Sequence, residues 1–213
     1  MGKKQFRILE IFYQCPFFST GCRVDATKPD GNCPVHVLVS KYDSSYPVEF
    51  ERVLKLLLLS GCDVNTQAFN TLETPLYRAI SFSKFTVAKV LLAYGADPNL
   101  SSPFDITALH LAVLKKVPEV VTMMLLSGIN WSREHWLENL TPSQTGDSQS
   151  LIADIHKWRR CTTSLVNICR QVFRKHHTKH LYSTISNRTD IPTIVKQFIL
   201  FSDVSDCELI AKS

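Results

Sequence analysis

The sequence predicts an all-α fold, a solenoid of stacked helical pairs followed by a small helical C-terminal module. Three observations lead there: a repeat with a period near 33 residues, an apolar helical run closed by glycine in each repeat, and an amphipathic segment beyond a polar break. With 213 residues, 45% of them hydrophobic and 20% charged, the chain can bury a real core, as one elongated array or two small domains.

The repeat is marked by Gly61-Cys62-Asp63-Val64-Asn65, Gly95-Ala96-Asp97-Pro98-Asn99 and Gly128-Ile129-Asn130, whose glycines lie 34 and 33 residues apart. Each follows an apolar run of helical character: 53–59, 87–92 and 120–126. A glycine there suits a left-handed cap after the last helical turn, where a side chain would be strained. The units open on Gly31-Asn32-Cys33-Pro34-Val35-His36, Thr74-Pro75-Leu76-Tyr77 and Thr107-Ala108-Leu109-His110. Thr can cap the free amides of a first turn, and Pro is tolerated at the first helical position because its missing N–H would have no partner there anyway. Each unit therefore reads as turn, helix, helix and hairpin loop. Ala79 and Ala112 let inner helices approach, and Leu76, Ile80, Leu109 and Val113 fill the space between units.

These residues resemble the ankyrin repeat, with its Gly-x-Thr-Pro-Leu-His opening and Gly-Ala-Asp-x-Asn ending. Leu72 and Tyr77 replace Gly and His in one copy, and Asp105 and Ala108 replace Gly and Pro in the next. The segment around 41–47 is about eight residues longer than the period permits, which predicts a bulging inter-helix loop. Gly21-Cys22-Arg23-Val24-Asp25 looks like the end of a still earlier repeat, with Ile8-Leu9-Glu10-Ile11-Phe12 left of its helix. The apolar residues Phe6, Phe12, Tyr13, Phe17 and Phe18 suggest that this end is shortened from a longer array or packs on something. The expected boundaries are a partial repeat at 1–30, repeats at 31–66, 67–100 and 101–130, a connecting segment at 131–162, the C-terminal module at 163–201 and a tail at 202–213.

In an array of this kind the hairpin tips and inner helix faces form one concave surface, which is where a protein substrate would bind. Gln67, Phe69 and Asn70 stand at one tip and Ser101, Ser102 and Phe104 at the next. An exposed Phe there is either a contact or loop packing. His36 and His110 are expected to hydrogen-bond the neighbouring loop rather than hold a metal, and no metal or cofactor is expected.

The polar stretch 141–148 marks a boundary before the C-terminal module. Beyond it, Leu165, Ile168, Cys169, Val172 and Phe173 fall on one helical stripe, with Thr163 or Ser164 as cap. The order Ser-Leu-x3-Cys-Arg-x2-Phe-Arg resembles the helix that opens a SOCS box. That resemblance implies that Leu165 enters a pocket on elongin C and that Cys169 allows close approach, with Ile168, Val172 and Phe173 completing the contact. Residues 191–201 resemble the cullin-contacting half of the box, whose pattern is Leu-Pro-Leu-Pro, two residues, then Leu-Lys-x-Tyr-Leu. Ile191-Pro192 matches the second Leu-Pro, Val195 and Phe198 fall on the following helix, and Thr189-Asp190 replace the first Leu-Pro, which weakens the expected cullin affinity. Both halves together resemble the ankyrin-repeat and SOCS-box proteins. The resemblance implies a non-catalytic substrate receptor whose partners are elongin C with elongin B, a cullin with its RING protein, and a protein substrate.

Net charge is +5, but residues 1–150 carry 14 basic and 14 acidic side chains and residues 151–201 carry nine and two. A solvated helix face is the simplest reading of that basic excess, and no nucleic-acid partner is expected. No apolar run reaches the roughly 18 residues of a membrane span and the start lacks a signal-peptide core, so no membrane partner and a cytoplasmic or nuclear location are expected. Gly2 is not read as a myristoylation site because Phe6 stands where Ser or Thr is wanted. The seven cysteines never form Cys-x-x-Cys and are expected reduced. A catalytic Cys169 would need His176, His177 or His180 as its base, and its place in an apolar stripe argues for packing instead. The remaining alternative is a plain ankyrin scaffold whose C-terminal helices cap the stack. In that case Leu165 and Cys169 would be buried.

Overall fold

A computed structural model describes residues 32–42, 47–100, 106–138, 149–160, 165–177 and 181–200. It is all-helical, with no strand among the described residues, as the periodicity predicts. Among the described residues three helical pairs make the array: α1 (Pro34–Lys41) with α2 (Pro47–Leu59), α3 (Pro75–Ser81) with α4 (Phe85–Ala93), and α5 (Ala108–Leu114) with α6 (Pro118–Ser127). Inner helices α1, α3 and α5 stack on one another, and the outer helix α4 packs on α6.

The helix starts follow the sequence chemistry. Thr74 and Thr107 accept from the amides of Tyr77 and His110, each at 3.1 Å. The stops follow it too, since Gly61, Gly95 and Gly128 adopt φ of +94°, +105° and +95°. Ala79, Ala112, Leu76, Ile80, Leu109 and Val113 are all buried in one apolar cluster that runs through the array.

One expectation needs correction. The extra residues of the first unit do not all bulge between its helices, because α2 is 13 residues long against nine for α4. Pro47 and Glu49 suit a first turn, and Phe50 is buried and faces Tyr42 edge-on with ring centroids 5.1 Å apart, so an added turn gains apolar contact. Residues 43–46 lie outside the described residues, as do the N-terminal segment 1–31 and the cap candidates Thr163 and Ser164.

After α6 the chain makes two 3₁₀ turns, Trp131–Arg133 and His135–Glu138, and then α7 (Gln149–Arg160). Leu137, Ile152 and Ile155 join the array core, with Trp131, Trp136 and Trp158 packed against it. Helices α8 (Leu165–His176), α9 (Leu181–Asn187) and α10 (Thr193–Ile199) surround a small second cluster of Leu181, Ile185 and Ile199. These three helices do not cap the end of the stack. They lie along its flank, α8 against α6 and α9 against α2.

Candidate functional site

Two surfaces stand out, one on the array and one on α8. On the array, the loops are tied together by a ladder of asparagines. Asn65 Nδ2 donates to Gly95 O at 3.2 Å and Asn65 Oδ1 accepts from Asp97 N at 2.8 Å. One repeat on, Asn99 Nδ2 donates to Gly128 O at 2.8 Å and Asn99 Oδ1 accepts from Asn130 N at 2.7 Å. The repeated Asn endings were visible in the sequence, but their role as rungs between loops was not.

His36 bonds the neighbouring loop as expected, with Nε2 2.9 Å from Glu73 O. His110 behaves differently. Its ring stacks on Trp136 with centroids 4.3 Å apart, and burial pushes its pKa down. Nearby Glu134, itself buried, accepts from Thr107 Oγ1 at 2.8 Å and from Trp136 Nε1. Burial raises its pKa in spite of those two bonds. This cluster closes the last repeat, and no local pattern in the sequence signals it.

The first hairpin tip is held from within: Ala68 N donates to Glu73 O, Leu72 N to Ala68 O, and Gln67 Nε2 to Leu72 O. Phe69 at its apex is 82% exposed and Leu72 beside it is also exposed, so Phe69 does not pack into its own loop. Asn70 is exposed next to it. Ser101, Ser102 and Phe104 lie outside the described residues.

On α8 the amphipathic pattern has an unusual sense. Leu165 is 75% exposed, Val172 50% and Ile168 42%, and Cys169 is exposed between them. Arg170 and Arg174, by contrast, are buried. Arg174 Nη1 donates to Ile199 O at 2.8 Å, at the end of α10, and Nη2 donates to Leu92 O in the last turn of α4. Both acceptors sit at helix C-termini, where carbonyls carry partial negative charge that suits a guanidinium. Desolvation, with the Arg170 charge beside it, pushes the Arg174 pKa down to about 9. It therefore keeps its proton at neutral pH. The Arg170 guanidinium lies 3.7 Å from the centre of the Phe198 ring. The basic excess is thus not wholly a solvated face, which corrects the expectation from charge: two of its arginines hold the module together and to the array.

Phe173 departs from the rest of its stripe. It is half-buried against the second cluster, and His177 packs on its ring with centroids 4.6 Å apart. Around α10, Pro192 and Val195 are exposed and Ile191 is half-buried, while Phe198 is turned inward under Arg170. Ile194, on the same helix, is 78% exposed. No cluster of metal-ligating side chains occurs among the described residues, and no described helix is long and apolar enough to cross a membrane.

The family profile for ankyrin repeats (3 copies) matches residues 44–135. The chain is similar to Ankyrin repeat and SOCS box protein 5 of Homo sapiens, 30% identical over 142 residues, which is 66% of this chain and 42% of that protein. The Oryctolagus cuniculus protein of the same name is 27% identical over 169 residues, 79% of this chain and 48% of its own. Protein fem-1 homolog C of Homo sapiens is 24% identical over 113 residues, 51% of this chain and 18% of its own. The chain spans less than half the length of these relatives. With the helical pairs, the glycine stops and the Thr caps, the match identifies residues 44–135 as ankyrin repeats.

Proposed function

We propose that this chain is a substrate-recognition subunit of an elongin-cullin-RING ubiquitin ligase. On this reading the array holds a protein substrate, through a surface that includes Gln67, Phe69 and Asn70, and α8 to α10 form a SOCS box. Leu165, Ile168, Cys169, Val172 and Phe173 belong to the contact with elongin C, itself paired with elongin B. Ile191, Pro192 and Val195 face the cullin and its RING protein, with Phe198 supporting that face from inside. Catalysis belongs to a recruited enzyme, and the chain contributes proximity.

The observation that carries the reading is the outward apolar stripe of α8. A helix that served only to cover the array would bury Leu165 and Cys169, yet both are exposed while the arginines of the opposite face are buried. Covering the exposed parts of Leu165, Ile168 and Val172 is worth on the order of 3 kcal/mol, which a partner can recover. The similarity to proteins whose name joins ankyrin repeats with a SOCS box supports the same reading.

The test is coexpression of the full chain with elongin B and C, read by gel filtration, against a Leu165→Ala, Cys169→Phe double variant. Copurification of the wild type alone supports the proposal. A folded wild type that elutes without elongins refutes it in favour of the plain scaffold.

A further inference from the structure

We propose that the partner seated on the α8 stripe does not stop at the helix but extends into the groove beside it, against the glycine turns of the second and third described repeats, and places a carboxylate opposite Lys175. This rests on the reading of α8 given above and adds to it a second contact surface and its chemistry.

The groove has a volume of about 540 Å³. One wall is made by the turns at 95–99 and 127–130, and the other by Gln171, Val172 and Lys175 of α8. Val172 belongs to both surfaces. It is the C-terminal member of the exposed stripe, half exposed, and it is also the lip of the groove. A partner that buries Val172 therefore closes over the groove mouth, and a surface that left the groove empty would forfeit contact along that edge.

Both walls are fixed before any partner arrives. Arg174 ties α8 to Leu92 O and Ile199 O, and Gln171 Nε2 lies 3.5 Å from Leu125 O. The turns are joined by the bonds from Asn99 to Gly128 O and from Asn130 to Asn99. A pre-formed groove of this size accommodates a few side chains without the entropy cost of ordering its walls.

The charge of the occupant follows from what lines the site. Lys175 is exposed at the mouth and Arg174 lies behind it. Asp97 is the one acidic residue among the lining residues, and its Oδ1 is already engaged by the backbone and side-chain nitrogens of Asn99, each at 2.9 Å. Residues 151–201 as a whole carry nine basic and two acidic side chains. The field at the mouth therefore favours an anionic group, and on a protein partner that is an Asp or Glu carboxylate.

The experiment is calorimetric titration of the purified full chain with the elongin B–C complex, for the wild type and three variants. Lys175→Glu reverses the charge at the mouth, and Ser127→Arg projects a long side chain into the groove from the last residue of α6, where arginine suits the helix end. Lys115→Glu, on the exposed end of the inner helices, makes the same net-charge change away from the groove. Lys175→Glu is expected to weaken binding about three- to tenfold at low salt and less at high salt, Ser127→Arg about tenfold, and Lys115→Glu not at all. Thermal unfolding of each variant alone separates a blocked groove from a misfolded chain. If the wild type binds and all three variants bind equally, the groove is not part of the interface and this inference falls, while the reading of the stripe survives. If Lys115→Glu weakens binding as much as Lys175→Glu, the effect is general charge and the inference falls as well. If the folded wild type does not bind, both fall together.

Discussion

Replacing Asn99 with Ala should cost the array about 2 to 3 kcal/mol. Its side chain makes two bonds to the next loop, to Gly128 O and from Asn130 N, and one to Asp97 within its own turn. Each contributes about 1 kcal/mol net, and the half-buried Gly128 carbonyl, on losing its partner, adds part of its desolvation cost. Because a repeat array draws its stability from neighbour interfaces, the loss should fall on the coupling between the last two described repeats. Urea unfolding followed by circular dichroism measures it, with Asn70→Ala at the exposed tip as a substitution that should leave stability within about 0.5 kcal/mol. Asn99→Asp gives a sharper variant. It keeps the acceptor for Asn130 N but loses the donor to Gly128 O and sets a carboxylate against Asp97, so at neutral pH it should be at least as damaging as Ala. Acidification should restore part of that loss, since a protonated carboxyl can donate again. An Asn99→Ala protein as stable as wild type, with an unchanged urea slope, would refute the ladder as a source of stability.

Three further outcomes follow from the geometry. Gly61→Ala and Gly95→Ala meet similar backbone strain at φ of +94° and +105°, but an added Cβ at Gly61 meets nothing within 4 Å while one at Gly95 lies 2.9 Å from Leu181 Cβ; each should lose about 1 to 2 kcal/mol to strain, and only Gly95→Ala should also raise amide exchange in α9. Arg174→Met should release α10 and the end of α8 from the array, seen as faster hydrogen exchange over 181–200 with 75–127 unchanged, and equal protection in both proteins would remove the arginine from this role. Burial raises the pKa of Glu51, but Lys55 at 2.8 Å and the Tyr94 hydroxyl at 2.6 Å outweigh it and leave the net shift downward. A depressed folded pKa stabilises above the ordinary carboxylate value of 4.5 and is lost as pH falls through the folded value, so wild type should lose more stability than Glu51→Gln between pH 5 and the acid limit of folding, measured by thermal melts across that range.

Much of the array was legible because its signals are local. A Thr that caps, a Pro at a first helical position and a glycine at positive φ each act within one turn, so Thr74, Pro75, Thr107, Gly61, Gly95 and Gly128 could be assigned from the chain alone. What was not legible is long-range. Arg174 reaches a carbonyl 82 residues away, and nothing in its neighbourhood distinguishes it from an exposed arginine on an amphipathic helix. Glu134 and Trp136 close the last repeat through Thr107 and His110, which come more than twenty residues earlier. The helix α7 carries its apolar residues Ile152 and Ile155 into the array core, a role that its own pattern gives to any core helix.

The placement of α8 also explains why one helix can serve two surfaces. An amphipathic helix normally buries its apolar side and leaves its charges in water, and here the small residues of the array allow the reverse. Gly95 and Gly128 stop the outer helices and, lacking side chains, let Leu181 and Gln171 come into contact with the turns themselves. That close approach brings Arg174 within reach of the carbonyls that end α4 and α10, so a cation that would be costly to bury finds partial negative charge waiting. Burial of the polar face turns Leu165, Ile168 and Val172 outward together. The same two glycines that end the repeats therefore set where the outward stripe lies relative to the array.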